Sequence, residues 1–249
     1  MISRADIISL SKLHNLRPWQ EEKRYMQTLI LNSLSRSPLI FKGGTYLWLF
    51  HGLRRFSEDL DFTSNGKLSR DIPEETSRNI SLLGINNQLK IIKNNDITLS
   101  FRILSDGPLY TGTIDRTPVY VEISKREKTV DNPISLKFDF PEYNLPVRVL
   151  SGMSLEEVAS EKVKAIYTGK KPRDIYDLFF LIKVKGIKFN REMVNRKLGF
   201  YNISFSREEF AGEVRMQEGY MNKELKNIVM DELPDMKEIM EVMESWADQ

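Results

Sequence analysis

Cysteine is absent from the 249 residues of this chain, and histidine occurs only twice, as His14 and His51. Disulfide bonds, thiolate zinc sites and a cysteine nucleophile are therefore excluded. Two histidines also offer little for a histidine-based metal site or a Ser-His-Asp triad, and we expect both to be structural. The chemistry of an active site in this chain must come from carboxylates, lysines and arginines.

Long apolar runs are missing as well. No segment approaches the roughly 20 residues that a membrane-spanning helix needs, and the N-terminus lacks a basic segment followed by an apolar stretch and a cleavage site. We therefore expect a cytoplasmic protein with no membrane partner. The net charge of +2 is too small to indicate a nucleic-acid binder by itself, whereas a hydrophobic content of 41% is enough for a core.

The pattern of Pro, Gly and capping residues divides the chain near residue 151. Before it, periodicity predicts helices and a run of strands, and after it the pattern becomes helical, with capping boxes at Ser154 to Glu157 and at Ser206 to Glu209. We predict an α+β protein in which residues 1–150 form a mixed sheet with flanking helices. Residues 151–249 are predicted to form a helical domain that completes a cleft.

The most informative segment is residues 42–61, KGGTYLWLFHGLRRFSEDLD. A turn of small residues, Gly43, Gly44 and Thr45, follows a short apolar run that reads as a buried strand. Glycines allow the backbone to approach a ligand closely, and the N-terminus of the helix that follows supplies N–H groups suited to phosphate. This part of the segment predicts a phosphate-binding turn.

Asp59 and Asp61 stand two residues apart in a stretch with strand character, so both side chains point to one face. Two carboxylates on one face repel each other unless a cation lies between them, and oxygen ligands select Mg²⁺ or Mn²⁺. The alternative is a solvated strand edge, but Leu60 and Phe62 indicate that the opposite face is buried. A phosphate turn beside a metal pair predicts phosphoryl chemistry.

Metal-assisted displacement calls for a third carboxylate, and Glu122 fits best. It lies between Val121 and Ile123 in an apolar strand, where a carboxylate without a partner is costly to bury. The alternative interpretation is an outward-facing strand residue. Asp115 and Asp139 are the other candidates.

Gly43-Gly44-Thr45 followed by Arg55, Ser57, Asp59 and Asp61 resembles the signature of DNA-polymerase-β-type nucleotidyltransferases, in the branch of the AbiEii/AbiGii abortive-infection and MenT-like toxins. A second similar block runs from Ala159-Ser160-Glu161-Lys162 to Pro172-Arg173-Asp174-Ile175-Tyr176-Asp177-Leu178. The resemblance implies a polymerase-β-like mixed sheet followed by a C-terminal helical bundle.

The resemblance also implies roles for individual residues. Thr45 and Ser57 would contact the triphosphate through their hydroxyls, and Lys162 with Asp174 would be a nucleotide-contacting lysine and its partner acid. An ion pair between packed helices is the alternative for Lys162 and Asp174. Arg55 suits the neutralisation of charge on leaving pyrophosphate.

Two further positions stay open. Lys42 either contacts phosphate or lies on the surface. Gly169 stands where relatives often carry an arginine, and Lys170 is the candidate substitute.

The leading hypothesis is a Mg²⁺-dependent nucleotidyltransferase that transfers a nucleoside monophosphate from an NTP and acts as the toxin of a toxin–antitoxin or phage-defence pair. The resemblance implies an RNA acceptor, the 3′ end of tRNA, and a cognate antitoxin as a protein partner. A second hypothesis is an AMP- or UMP-transferring enzyme that modifies proteins. A third is a non-catalytic nucleotide-sensing or antitoxin-binding module, against which the intact pair Asp59 and Asp61 argues.

Overall fold

The computed structural model describes residues 2–249, which form two compact units. The first unit contains the chain up to Tyr46, Ser57–Thr129 and Pro133–Gly152, and the second contains Leu47–Phe56, Val130–Asn132 and Met153–Gln249. The change at Gly152 lies beside the predicted boundary near residue 151. Two short segments from the first 150 residues nevertheless belong to the second unit, which a single boundary does not describe.

The first unit is built on one seven-stranded mixed sheet with the strand order β3-β4-β5-β2-β1-β7-β6. The pairs β2–β5 and β1–β7 are parallel, and the other neighbouring pairs are antiparallel. The strands are β1 (Leu39–Lys42), β2 (Leu60–Ser64), β3 (Asn87–Asn94), β4 (Thr98–Ser105), β5 (Thr117–Ser124), β6 (Ile134–Phe138) and β7 (Arg148–Gly152). This mixed sheet with flanking helices confirms the predicted fold class.

The helices of this part of the chain are α1 (Arg4–Leu13), α2 (Pro18–Leu34), α3 (Gly43–His51) and α4 (Ile72–Leu82). Local sequence signals explain where they begin. Ser3 caps α1 in a capping box with Asp6, and Pro18 occupies the first turn of α2, where its missing N–H costs nothing. In β4 the side chains alternate between buried and half-buried, because Leu99, Phe101 and Ile103 face the core.

The second unit contains six helices in its C-terminal part: α5 (Leu155–Gly169), α6 (Pro172–Lys183), α7 (Arg191–Gly199), α8 (Arg207–Arg215), α9 (Glu218–Leu225) and α10 (Met236–Ala247). Ser154 and Ser206 accept the N-terminal hydrogen bonds predicted for them, and Asn190 caps α7 in the same way. The N-cap residue of α9, Gln217, makes no capping hydrogen bond through its side chain. Within residues 2–249, no helix has both the length and the apolar character needed to cross a membrane.

Candidate active site

The turn between β1 and α3 is shaped by Gly43. Its φ of +81° lies in the left-handed region that glycine adopts most easily. A Cβ at this position would lie 2.5 Å from Oδ2 of Asp61, closer than a carbon and an oxygen can pack. Both the backbone conformation and the space therefore require glycine, and the turn brings the Asp61 carboxylate against the backbone at the start of α3.

We expect Gly43→Ala to lower the free energy of unfolding more than Gly52→Ala does. Gly52 has a similar φ of +79°, but no atom lies within 4 Å of the place a Cβ would take, so it reports the backbone strain alone, about 1–2 kcal/mol. Gly43→Ala adds the clash with Asp61, an overpacking cost of about 1–3 kcal/mol. Urea unfolding of both variants measures the difference. Equal losses would show that Asp61 moves aside freely.

Asp61 lies between two charged residues in the sheet. Its register partner in β1 is Lys42, and its register partner in β5 is Glu122. Side chains of residues directly opposite each other in neighbouring strands lie on the same face, so Lys42, Asp61 and Glu122 form one polar row. Leu60 and Phe62 are buried, as predicted for the other face. The row combines one ammonium group with two carboxylates beside the Gly43 turn.

Thr45 and Ser57 anchor the chain around Asp59 by contacts with the main chain. Thr45 is fully buried, and its hydroxyl donates a hydrogen bond of 2.5 Å to the carbonyl oxygen of Asp59. The carbonyl of Ser57 accepts a hydrogen bond of 3.0 Å from Gln27 Nε2. The Thr45 hydroxyl therefore holds the Asp59 backbone, and the triphosphate contact that the resemblance implied for it stays a prediction.

The other candidates for a third carboxylate lie elsewhere in the first unit. Asp115 is exposed, lies in a single-turn 3₁₀ helix before β5, and accepts a hydrogen bond from the Thr111 hydroxyl. Asp139 follows β6, which is separated from β2 by β7 and β1, and pairs with Lys137 at 2.6 Å. Of the three candidates, Glu122 is the one that lies directly opposite Asp61 in a neighbouring strand.

The carboxylates do not form a closed metal cage. Among residues 2–249, no three histidine, aspartate or glutamate side chains come together as a group that could hold a metal ion, so Asp59, Asp61 and Glu122 are not gathered into one. Mg²⁺ is commonly bound by one or two carboxylates together with substrate phosphates rather than by a cage of protein ligands. The oxygen donors of Asp61 and its neighbours, beside a glycine turn suited to phosphate, fit that mode of binding.

Four charged side chains of the second unit form a buried network centred on Asp177. Arg55 donates through Nε to Asp177 Oδ1 at 2.6 Å and through Nη2 to Oδ2 at 2.7 Å. Lys162 Nζ lies 2.6 Å from Asp177 Oδ2 and 2.7 Å from Asp174 Oδ1. Arg55 also donates to the carbonyl of Phe56 at 3.1 Å. The contacts of Lys162 and Asp174 in the structure are those of an ion pair between α5 and α6.

The pKa shifts in this network show that the charges compensate for burial. Burial favours the neutral form of Arg55 and of Lys162, but the neighbouring aspartates outweigh it and raise both pKa values. Burial also acts to raise the pKa of Asp177, and the charges of Arg55 and Lys162 outweigh it and lower that pKa. All three groups are therefore charged at neutral pH.

Asp177 belongs to the second sequence block but received no role of its own there, and its place at the centre of a network was not predicted. A usable signal was its spacing from Asp174, because residues three apart share one face of a helix. Lys170, the candidate substitute for an arginine, has a φ of +50° at the C-cap of α5 and pairs with Glu213 at 3.4 Å. In the structure the ammonium group of Lys170 therefore contacts a protein carboxylate.

Solved structures share this fold. JHP933 from Helicobacter pylori is 20% identical, with 92% of this chain and 90% of that chain covered and a TM-score of 0.63. A putative nucleotidyltransferase from H. pylori is 21% identical, with 91% and 92% covered and a TM-score of 0.63. MenT4, the nucleotidyltransferase toxin Rv2826c from Mycobacterium tuberculosis H37Rv, is 17% identical, with 98% and 88% covered and a TM-score of 0.67. The chain shares its fold with these three proteins.

The family follows from the sequence as a whole. The model of the family described as nucleotidyl transferase AbiEii toxin, Type IV TA system, matches residues 24–245. The chain therefore belongs to the AbiEii family, and it is a transferase of a toxin–antitoxin system. A search of curated proteins found no significant match.

Proposed function

We propose that the chain transfers a nucleoside monophosphate from an NTP to the 3′ end of tRNA, with release of pyrophosphate and in the presence of Mg²⁺ or Mn²⁺. The observation that carries this proposal is the position of Asp61, which lies against the Gly43 turn and in register with Glu122. A phosphate-type turn and carboxylates on one face are what transfer of a phosphoryl group requires.

The reaction forms a bond between the acceptor hydroxyl oxygen and the α-phosphorus of the NTP. It breaks the bond from that phosphorus to the oxygen that bridges the α- and β-phosphates, and this oxygen leaves with pyrophosphate. Asp59 and Asp61 would hold a divalent cation, which when bound neutralises charge on the triphosphate. Glu122 would complete the set of carboxylates that holds the metal, and one of these three carboxylates would accept the proton of the acceptor hydroxyl. The backbone N–H groups at Gly43 and Gly44 cradle the phosphates, and Lys42 adds a positive charge in the same row.

Arg55, Lys162 and Asp174 remain proposed nucleotide-contacting residues on the strength of the resemblance. Their contacts in the structure are with one another and with Asp177. The antitoxin partner follows from membership of a toxin–antitoxin family.

The acceptor is identified by incubating the purified chain with each NTP labelled on the α-phosphate, Mg²⁺, total tRNA and lysate protein. We expect label in tRNA, none from γ-labelled NTP, and loss of transfer in EDTA that Mg²⁺ or Mn²⁺ restores. Zinc is expected to substitute poorly, because the site offers oxygen ligands. Label in a protein beside unlabelled tRNA would replace the acceptor with a protein hydroxyl. Full transfer in EDTA would contradict the metal dependence.

A further inference from the structure

A cavity of about 530 Å³ lies in the first unit, next to the segment that carries the aspartates. We call it the Trp19 cavity. Its walls come from α1, from the N-terminal turns of α2, from the residue before Asp59 and from the chain that leads into β5. The side chains that matter below are Arg4, Trp19, Lys23, Glu58, Ile114 and Pro118. The volume lies within the range of about 300–1,000 Å³ that is usual for small-ligand sites.

The Trp19 cavity lies on the β5 side of the segment that carries the aspartates. Glu58 lines it and directly precedes Asp59, and Pro118 lines it near the start of β5. Pro118 and Glu122 are four residues apart on one strand, so they share a face and lie about 13 Å apart. Because β2 lies between β5 and β1, the Gly43 turn approaches Asp61 from the opposite side.

The lining combines a half-exposed tryptophan with an exposed apolar side chain and with the cationic side chain of Arg4. Trp19 is 46% exposed and Ile114 is 96% exposed, although both are large apolar side chains. Trp19 and Lys23 share one face of α2, since residues four apart on a helix are neighbours. Arg4 uses one of its N–H groups for the carbonyl of Leu109 at 3.2 Å. An exposed ring of this kind is the platform on which nucleobases stack.

Three carboxylates line the cavity, and each has a partner within the unit: Asp115 accepts a hydrogen bond from the Thr111 hydroxyl. Glu58 pairs with Lys23 at 2.5 Å, and Glu22 accepts hydrogen bonds from the backbone N–H of Leu109 at 2.5 Å and from the Thr117 hydroxyl. Their charges are therefore compensated by neighbouring donors, which reduces the repulsion that a phosphate would meet there.

We propose that the Trp19 cavity binds a nucleobase of a single-stranded RNA acceptor near its 3′ end, stacked on Trp19. The proposal rests on the proposed function, because it names the subsite of that reaction's acceptor. The Gly43 turn holds the NTP phosphates on the β1 side of the aspartates, so the acceptor approaches from the β5 side. The distance of about 13 Å from Pro118 to Glu122 leaves room for the terminal nucleotide between the stacked base and the reacting hydroxyl.

The test measures binding rather than transfer. A short single-stranded RNA with a free 3′ hydroxyl and a fluorescent label at its 5′ end is titrated with the full chain, and fluorescence anisotropy gives the Kd. Trp19→Ala is expected to weaken binding about 5- to 150-fold, the range for losing one base–aromatic stack, whereas Trp19→Phe keeps most of the affinity. Tyr220→Ala, which removes an aromatic side chain that is 59% exposed in the second unit, is the matched control.

Every outcome is decisive. Weaker RNA binding by Trp19→Ala with unchanged NTP affinity supports the acceptor subsite. Unchanged RNA binding, no RNA binding by the wild type, or a loss of NTP affinity instead would each overturn it. A chain that binds RNA through Trp19 but transfers no nucleotide would contradict the proposed function and leave the subsite standing, so the two proposals fail separately.

Discussion

Asp61→Asn is expected to reduce nucleotide transfer by about 100- to 1,000-fold or more, the scale for losing a group that stabilises charge in the transition state. The substitution removes one carboxylate from a row that also contains Glu122, so repulsion within the row falls and the fold is retained. Transfer is measured as label moved from α-labelled NTP to the acceptor, and thermal unfolding shows that the variant is folded.

The neighbouring variants define which carboxylates take part. Asp59→Asn is expected to be as inactive as Asp61→Asn, and Glu122→Gln should match them if Glu122 completes the site. Asp96→Asn, in the exposed turn between β3 and β4, is the control and should transfer normally. An active Glu122→Gln beside an inactive Asp115→Asn or Asp139→Asn would move the third carboxylate. Substantial transfer by both aspartate variants would contradict the metal pair.

The same substitutions test the toxin activity in cells. Expression of the intact chain is expected to arrest growth of a bacterial host, and the Asp59→Asn, Asp61→Asn double variant is expected to be harmless, because the proposed toxicity is catalytic. tRNA from arrested cells should then carry added nucleotides at its 3′ end. A double variant that still arrests growth would indicate a toxin that acts by sequestration.

The sequence could predict the β1–α3–β2 part of the site, because residues close together in the chain determine it. Gly43 marks a left-handed turn, and the alternation of Leu60, Asp61 and Phe62 determines which face of β2 is buried, so the β1–α3–β2 unit follows from short-range rules. The apolar neighbours of Glu122 indicated a strand. No local signal showed that this strand pairs with β2 in parallel, since parallel pairing depends on a distant connection through the fold.

Long-range charge contacts were the part that could not be predicted. Arg55 and Asp177 are 122 positions apart, and Arg55 belongs to the segment Leu47–Phe56 that forms part of the second unit. Arg55 lies just before Ser57 and Asp59 in the sequence, and it was therefore predicted to neutralise charge on the leaving pyrophosphate. Composition cannot distinguish a ligand-binding arginine from one whose guanidinium is held by an aspartate of a distant helix, because both need a planar cation next to an anion.

Asp177→Asn is expected to lower the free energy of unfolding by about 3–5 kcal/mol, the cost of removing one partner from a buried ion pair. Asp177 is fully buried and meets Arg55 through both carboxylate oxygens and Lys162 through one of them. Without its charge, two buried cations share the single carboxylate of Asp174. Urea unfolding at pH 7 gives the difference from the wild type.

The chain supplies a matched control at the adjacent arginine. Arg54 pairs with Asp231 at 2.9 Å with similar geometry, but the two side chains are 58% and 49% exposed. Asp231→Asn makes the same chemical change at the surface, where an ion pair contributes about 0–1 kcal/mol. A loss for Asp177→Asn no larger than that for Asp231→Asn would show that the Arg55 and Lys162 charges reach water in the folded protein.

The pH dependence of stability gives a second measurement of the same network. The folded-state pKa of Asp177 is lowered from its ordinary value of 3.8, so its contribution is fully present above that value and is lost as the pH falls through the lowered pKa. The pKa of Lys162 is raised from 10.5, so its contribution is present below that value and is lost as the pH rises through the raised pKa. The gap between wild type and Asp177→Asn should therefore be widest between these limits and shrink on acidification below about pH 4. A gap that stays constant down to pH 2 would mean that the stability of the network does not depend on the charge of Asp177.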